Sequence, residues 1–190
     1  MSFRAIEWLD ETNTLKLIDQ TKLPGEVKYL LLTDTVQIEE AIKTLTVRGA
    51  PAIGVAAAFG ILQQARKSDG DDIETLKGDL ARCDSILRAS RPTAVNLFWA
   101  LDKMQSVWAD VVGTDGLIAA LTAKAYEIEK DDIAVNQAIS RHAMDVVPDK
   151  ATFFHHCNTG SLATVDLGTA LGIIRTAHET GKDVFAYIDE

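Results

Sequence analysis

No run of apolar residues in the sequence approaches the ~18 that a membrane-spanning helix needs. The opening Met1-Ser2-Phe3-Arg4-Ala5-Ile6-Glu7-Trp8 has no uninterrupted apolar stretch, so no secretory signal is expected. Cysteine is scarce. Cys83 and Cys157 are the two in the chain, and they fit neither a zinc spacing nor a C-x-x-C redox pair. Both are expected to be free thiols in a reducing, cytoplasmic compartment. There is no Walker A motif and no G-x-G-x-x-G pattern, so no nucleotide cofactor is expected. Positive charge is in deficit: 19 Lys and Arg stand against 28 Asp and Glu, a net charge of -9. That balance argues against general affinity for nucleic acid or membranes. An anionic ligand would need a local positive site set against this field.

What is present suits a globular core. Hydrophobic residues make up 47% and charged residues 25% of the 190 positions, which argues against disorder. Ile6-Glu7-Trp8-Leu9 and Thr14-Leu15-Lys16-Leu17-Ile18 flank the polar turn Asp10-Glu11-Thr12-Asn13, the pattern of a hairpin. A third strand follows the Pro24-Gly25 turn, through Lys28-Tyr29-Leu30-Leu31-Leu32. The period then becomes helical: Ile38, Ile42 and Leu45 share a face, with Asp34 or Thr35 as the cap. A helix over 51–64 is apolar on nearly every side and is expected to be buried. Leu76, Leu80, Cys83 and Leu87 mark the next helix. Leu97, Leu101, Met104, Trp108 and Val111 mark another, and Leu117, Leu121 and Ile128 a less clean one. Residues 132–145 read as helical as well. After Pro148-Asp149 a strand over 151–156, a small-residue loop, a helix near 166–179 ended by Thr180-Gly181, and a strand over 183–188 make one βαβ unit. The class expected is α/β: an N-terminal domain of short strands plus helices over 1–148, then the first βαβ unit of an incomplete Rossmann-like domain over 149–190.

Three segments carry candidate chemistry. In Thr46-Val47-Arg48-Gly49-Ala50-Pro51-Ala52-Ile53-Gly54, Pro51 sits at a helix start, where its missing N–H costs nothing. The N–H groups of that first turn attract anions. Gly49 and Ala50 are small enough for close approach to the backbone, and Arg48 offers a bidentate fork. The bland alternative is a tight turn with a solvated arginine. In Ser90-Arg91-Pro92-Thr93-Ala94-Val95-Asn96, Pro92 disfavours helix at Arg91. Arg91 then stands in a break between helices, either facing a ligand or merely exposed. In His156-Cys157-Asn158-Thr159-Gly160-Ser161-Leu162-Ala163-Thr164, Cys157 falls at the carboxyl end of a parallel strand, where ligands of open α/β sheets gather. It is either a reactive thiol or a packing residue. Cys83 lies on an apolar stripe and reads as packing. His155, His156 and Cys157 do not make a metal site, because successive strand side chains point to opposite faces.

Together these segments resemble the methylthioribose-1-phosphate isomerase family. The resemblance covers the whole chain and includes Ile6-Glu7-Trp8-Leu9-Asp10 and Leu17-Ile18-Asp19-Gln20-Thr21-Lys22-Leu23-Pro24. Its most specific parts are Val47-Arg48-Gly49-Ala50-Pro51-Ala52-Ile53-Gly54-Val55-Ala56-Ala57, Arg91-Pro92-Thr93-Ala94-Val95-Asn96-Leu97 and His156-Cys157-Asn158-Thr159-Gly160-Ser161-Leu162-Ala163-Thr164. It implies a cofactor-free aldose–ketose isomerase of methionine salvage, acting on a sugar phosphate and usually homodimeric at full length. By resemblance, Arg48, Gly49, Ala50 and Arg91 bind the substrate, and Cys157 is the catalytic proton donor or acceptor. Both proton-transfer and hydride-shift routes can be drawn. Family members run to roughly twice this length, as a two-domain chain does. The family's catalytic aspartate and further contacts from glutamine, asparagine and lysine would then lie beyond Glu190, and the chain alone is expected to be inactive. Two alternatives remain open. One is a non-enzymatic member of the superfamily that contains regulatory subunits of the translation-initiation exchange factor. The other is a ribose-1,5-bisphosphate isomerase, which would need a second cationic site.

Overall fold

The chain opens on the expected hairpin. β1 (Ile6–Leu9) pairs antiparallel with β2 (Thr14–Ile18), and β2 pairs antiparallel with β3 (Tyr29–Leu32). Between β1 and β2 a single 3-10 turn ends at Asn13, whose φ of 50° is the left-handed conformation asparagine tolerates. In this computed structural model, residues 4–68, 72–111 and 113–189 are described. Part of the stretch read for an export signal, Met1-Ser2-Phe3, and the terminal Glu190 lie outside the described residues.

Alternation along the hairpin puts Ile6, Trp8, Leu15 and Leu17 on one buried face. That face rests on α2 (Ala50–Lys67), where Trp8 stacks on Phe59 with ring centroids 5.0 Å apart. α2 is buried without interruption over positions 52–63. It is the axis around which α1 (Thr35–Lys43), α3 (Ile73–Ser90), α4 (Val95–Asp110) and α5 (Thr114–Ala143) are arranged. Asp34 caps α1, accepting from the Gln37 N–H at 2.9 Å. Gly54 allows the close crossing of α4, since a Cβ there would stand 3.0 Å from the Asn96 carbonyl oxygen.

Buried polar groups tie the sheet to the helices. Gln63 is 1% exposed, and its amide donates to the Asn13 and Leu32 carbonyls, both at 2.9 Å. One side chain of α2 thus serves both the hairpin turn and the end of β3.

The segment after the first ~145 residues forms the parallel unit: β4 (Lys150–His156), α6 (Ala170–Glu179) and β5 (Asp183–Asp189). The α/β class read from the sequence is the class found. Several element boundaries differ from expectation: α1 ends at Lys43, so Leu45, with a φ of 63°, lies past the helix and is exposed instead of sharing its face with Ile38 and Ile42. The helices marked around Leu117 and over 132–145 are one 30-residue helix, α5. The acidic pair Asp131-Asp132 interrupts its apolar stripe without breaking it, because Asp132 Oδ2 accepts from the Val165 N–H at 2.8 Å. α6 begins at Ala170, not near 166, because Gly168 takes a φ of 90° and bridges back to Gly160.

No described helix is long and apolar enough to cross a membrane. Replacing Gln63 by Leu should lower unfolding stability by about 1–3 kcal/mol, the cost of withdrawing a buried donor from its acceptors. Urea denaturation monitored by circular dichroism measures this, and an unchanged midpoint would contradict the stated role.

Candidate active site at the entrance of helix α2

The loop after β4 determines where the thiol stands. Cys157 adopts a φ of 75°, uncommon for a residue with a Cβ, and is exposed. Its N–H donates to the Asp189 carbonyl at 3.1 Å, so the end of β5 fixes the turn. Thr159 organises the remainder. Its hydroxyl meets His155 Nε2 at 2.6 Å and accepts from the Leu171 N–H at 3.0 Å. Its carbonyl accepts from the Thr169 N–H at 2.8 Å. His155 is buried and His156 exposed, on opposite faces of β4 as strand geometry requires.

The same loop packs onto the start of α2. The Ala163 carbonyl accepts from the Ala52 N–H at 3.2 Å, and the Leu162 carbonyl from the Gln20 amide at 2.8 Å. A Cβ on Gly49 would overlap the Ala163 backbone. The smallness of Gly49 therefore serves the approach of the chain's own loop. It also changes the donor count at the helix entrance. Pro51 has no N–H, that of Ala52 is taken by Ala163 and that of Ile53 by Gly49.

These contacts bring Arg48 and Cys157 together. Both line a cavity of about 290 Å³ whose walls include Gly49, Ala50 and Pro51. Both also line a neighbouring cavity of about 430 Å³, with Gln20, His155 and Thr159. Arg91 stands next to this site: its Nη1 donates to the Arg48 carbonyl at 3.4 Å. Its side chain is not among the walls of either cavity, so it adjoins Arg48 from the outside. Gln20, His155 and Thr159 were not singled out from spacing. Gln20 reaches the site through a contact with Leu162, 142 positions away, while His155 and Thr159 join it by a hydrogen bond to each other across the loop.

The other cysteine is a different kind of group. Cys83 is 2% exposed, 3.2 Å from the Thr35 hydroxyl. Burial pushes its thiol up to about 12. Among the described residues no group of His, Cys, Asp and Glu is placed to hold a metal ion.

The sequence pattern of the Initiation factor 2 subunit family matches residues 46–190. The chain belongs to this family. Within the initiation factor 2 subunit family, it is 49% identical to "Methylthioribose-1-phosphate isomerase 2" of Pseudothermotoga lettingae, over all of this chain and 54% of that protein. The crystal structure of 5-methylthioribose 1-phosphate isomerase from Pyrococcus horikoshii OT3 superposes with a TM-score of 0.89 at 35% identity, covering 94% of this chain and 50% of that one. The translation initiation factor eIF-2B, subunit delta, from A. fulgidus superposes with a TM-score of 0.88, also at 35% identity, over 98% of this chain and 54% of that one. The chain thus spans about half the length of the family members it matches.

The two thiols should separate cleanly. With iodoacetamide at pH 8 and native conditions, one equivalent should react, mapping by mass spectrometry to Cys157. Cys83 should react only after denaturation, because it is both shielded and protonated. Equal labelling of the two in the folded chain would contradict the geometry.

Proposed function

We propose that this chain carries the phosphate-binding and thiol portion of an isomerase that converts 5-methylthioribose 1-phosphate to 5-methylthioribulose 1-phosphate in methionine salvage. The observation that carries the proposal is the joint presence of Arg48 and Cys157 on the walls of the same two cavities. The name of the 49% identical relative supplies the substrate.

Each residue then has a task. Arg48 grips the phosphate through its guanidinium fork, with the Ala50 N–H and the positive end of α2 adding to it. Arg91 reinforces the local positive charge from behind the Arg48 carbonyl. Phosphate on the anomeric oxygen prevents the sugar from opening as a free hemiacetal, so proton movement near C1 and C2 must be assisted. Cys157 is the group that donates or accepts that proton. His155 and Thr159, bonded to each other, line the same cavity beside it. No cofactor is assigned. The division into an N-terminal domain over 1–148 and the start of a Rossmann-like domain over 149–190 belongs to this reading, as do a cytoplasmic location and a homodimer at full length.

A second reading has one finding in its favour. The structure named as an initiation factor subunit is as similar as the isomerase structure, 35% identical in each case. Under that reading the cavity binds a sugar phosphate and does not isomerise it. An exposed thiol beside the anion site favours the enzyme.

Arg48→Ala should weaken binding of 5-methylthioribose 1-phosphate by about 1.5–3 kcal/mol, the range for a charged hydrogen bond. Calorimetry showing unchanged affinity would remove Arg48 from the site. In a chain extended to the length of its relatives, Cys157→Ser should cut turnover by roughly 10²–10⁴ with little change in melting temperature. Cys83→Ser should do the opposite. Turnover near the parent's for Cys157→Ser, in an isomerase assay, would favour the binding-only reading.

A further inference from the structure

The parallel pair β4–β5 has one face covered and one bare. α6 packs on the first, the side of Ala151, Phe153 and His155. The second carries Lys150, Thr152, Phe154 and His156 from β4, in register with Asp183, Phe185, Tyr187 and Asp189 from β5. Phe154, Phe185 and Tyr187 are 78%, 58% and 57% exposed. They form one aromatic cluster. Phe185 meets Tyr187 edge-on with ring centroids 5.0 Å apart, and Tyr187 meets Phe154 at 6.3 Å. Parallel sheets are stable with both faces covered, so a bare face of this composition is an interaction surface.

Polar pairs mark the two ends of the aromatic cluster. At one end Lys150 Nζ lies 4.0 Å from Asp183 Oδ2. At the other His156 Nδ1 lies 3.4 Å from Asp189 Oδ2. In both pairs β4 supplies the basic group and β5 the carboxylate. Of the two aligned ways to stack a pair of such sheets face to face, this pattern favours one. A two-fold axis parallel to the strands lays β4 of each copy over β5 of the other. It sets Lys150 of each copy against Asp183 of the other, His156 against Asp189 and Phe154 against Tyr187. A two-fold axis across the strands instead sets Asp183 against Asp189 and Lys150 against His156, carboxylate on carboxylate, a repulsion that selects against it.

We propose that the occupant of this face is a second copy of the 190-residue chain, stacked sheet on sheet about a two-fold axis parallel to β4 and β5. The sheets lie about 10 Å apart, the usual spacing of facing sheets. The two aromatic clusters interleave, and the polar pair at each end of one copy closes on its counterpart in the other. The contact is isologous, so every interaction occurs twice. The exposed parts of six aromatic side chains amount to roughly 600–900 Å². That area is at the low end of specific interfaces, so the dimer is weak and forms with rising concentration. The pairing is independent of the sugar-phosphate reading.

Sedimentation equilibrium of the 190-residue chain, from low to high micromolar concentration, tests the pairing. The parent chain should pass from monomer to dimer with a dissociation constant on the order of 10–100 μM, and to nothing larger. Phe154→Ser should stay monomeric throughout. Lys150→Asp leaves the aromatic cluster intact and should weaken the dimer roughly five- to tenfold, because the two-fold repeats the lost pair. Adding Asp183→Lys to Lys150→Asp should return the constant to the parent's, since opposite charges then face each other again. Under the two-fold across the strands the double variant would associate more tightly than the parent, because the swapped lysine would meet Asp189. The charge variants carry the test if the serine variant does not fold. A monomer at every concentration, association beyond a dimer, a dimer indifferent to Phe154→Ser, or a double variant that departs from the parent's constant would each overturn the proposal.

Discussion

The arrangement depends on one close contact, the seating of the Ala163 backbone on Gly49 at the entrance of α2. The Ala52 N–H to Ala163 carbonyl hydrogen bond and the lack of room for any Cβ at Gly49 define it. The first joins the loop after β4 to a helix whose next twelve positions are buried. The second makes the junction intolerant of substitution. α2 is packed against α1, α3, α4 and α5, so its start belongs to the buried core of the helical layer. The loop docked on that point is anchored to the core, and Cys157 stands six residues before Ala163 in that loop.

From this contact follows a division of labour among polar groups. The helix entrance uses the Ala52 N–H to hold the loop, and Arg48 stands beside it on the wall of the adjoining cavity. Asp132 does the corresponding work from α5, accepting from the Val165 N–H, so the far end of the same loop is held by a half-buried carboxylate. Thr159 closes the arrangement by joining His155, Leu171 and Thr169. Three elements distant in sequence thereby set the position of one exposed thiol. In a chain with a net charge of -9, Arg48 stands at a helix entrance, where the helix dipole favours an anion.

Much of the architecture could be read from local pattern. The alternation in Ile6–Leu9 and Thr14–Ile18, the Asp34 cap, the uniformly apolar stretch after Pro51 and the glycine after Thr180 each have a physical cause within a few residues. What could not be read depended on distant partners. The joining of the stretch around Leu117 and residues 132–145 into one helix was not legible, and neither was the Val165 N–H that pairs with the half-buried Asp132 carboxylate within it. The delayed start of α6 follows from the bridge between Gly160 and Gly168. Gly49 was recognised as a place of close approach, but the approaching group is Ala163 of the same chain. The motifs of Arg48, Arg91 and Cys157 were legible as candidates. Their juxtaposition, and the participation of Gln20, His155 and Thr159, were not.

The central claim is that the entrance of α2 and the loop after β4 form a single anion site. Proton–nitrogen correlation NMR during titration with inorganic phosphate tests it most directly. The amides of Gly49 and Ala50 should shift together with those of Cys157, Asn158 and Thr159, and all should follow one dissociation constant. Arg48→Ala should suppress both sets of shifts at once. Shifts confined to one segment, or two segments titrating with different constants, would contradict the claim.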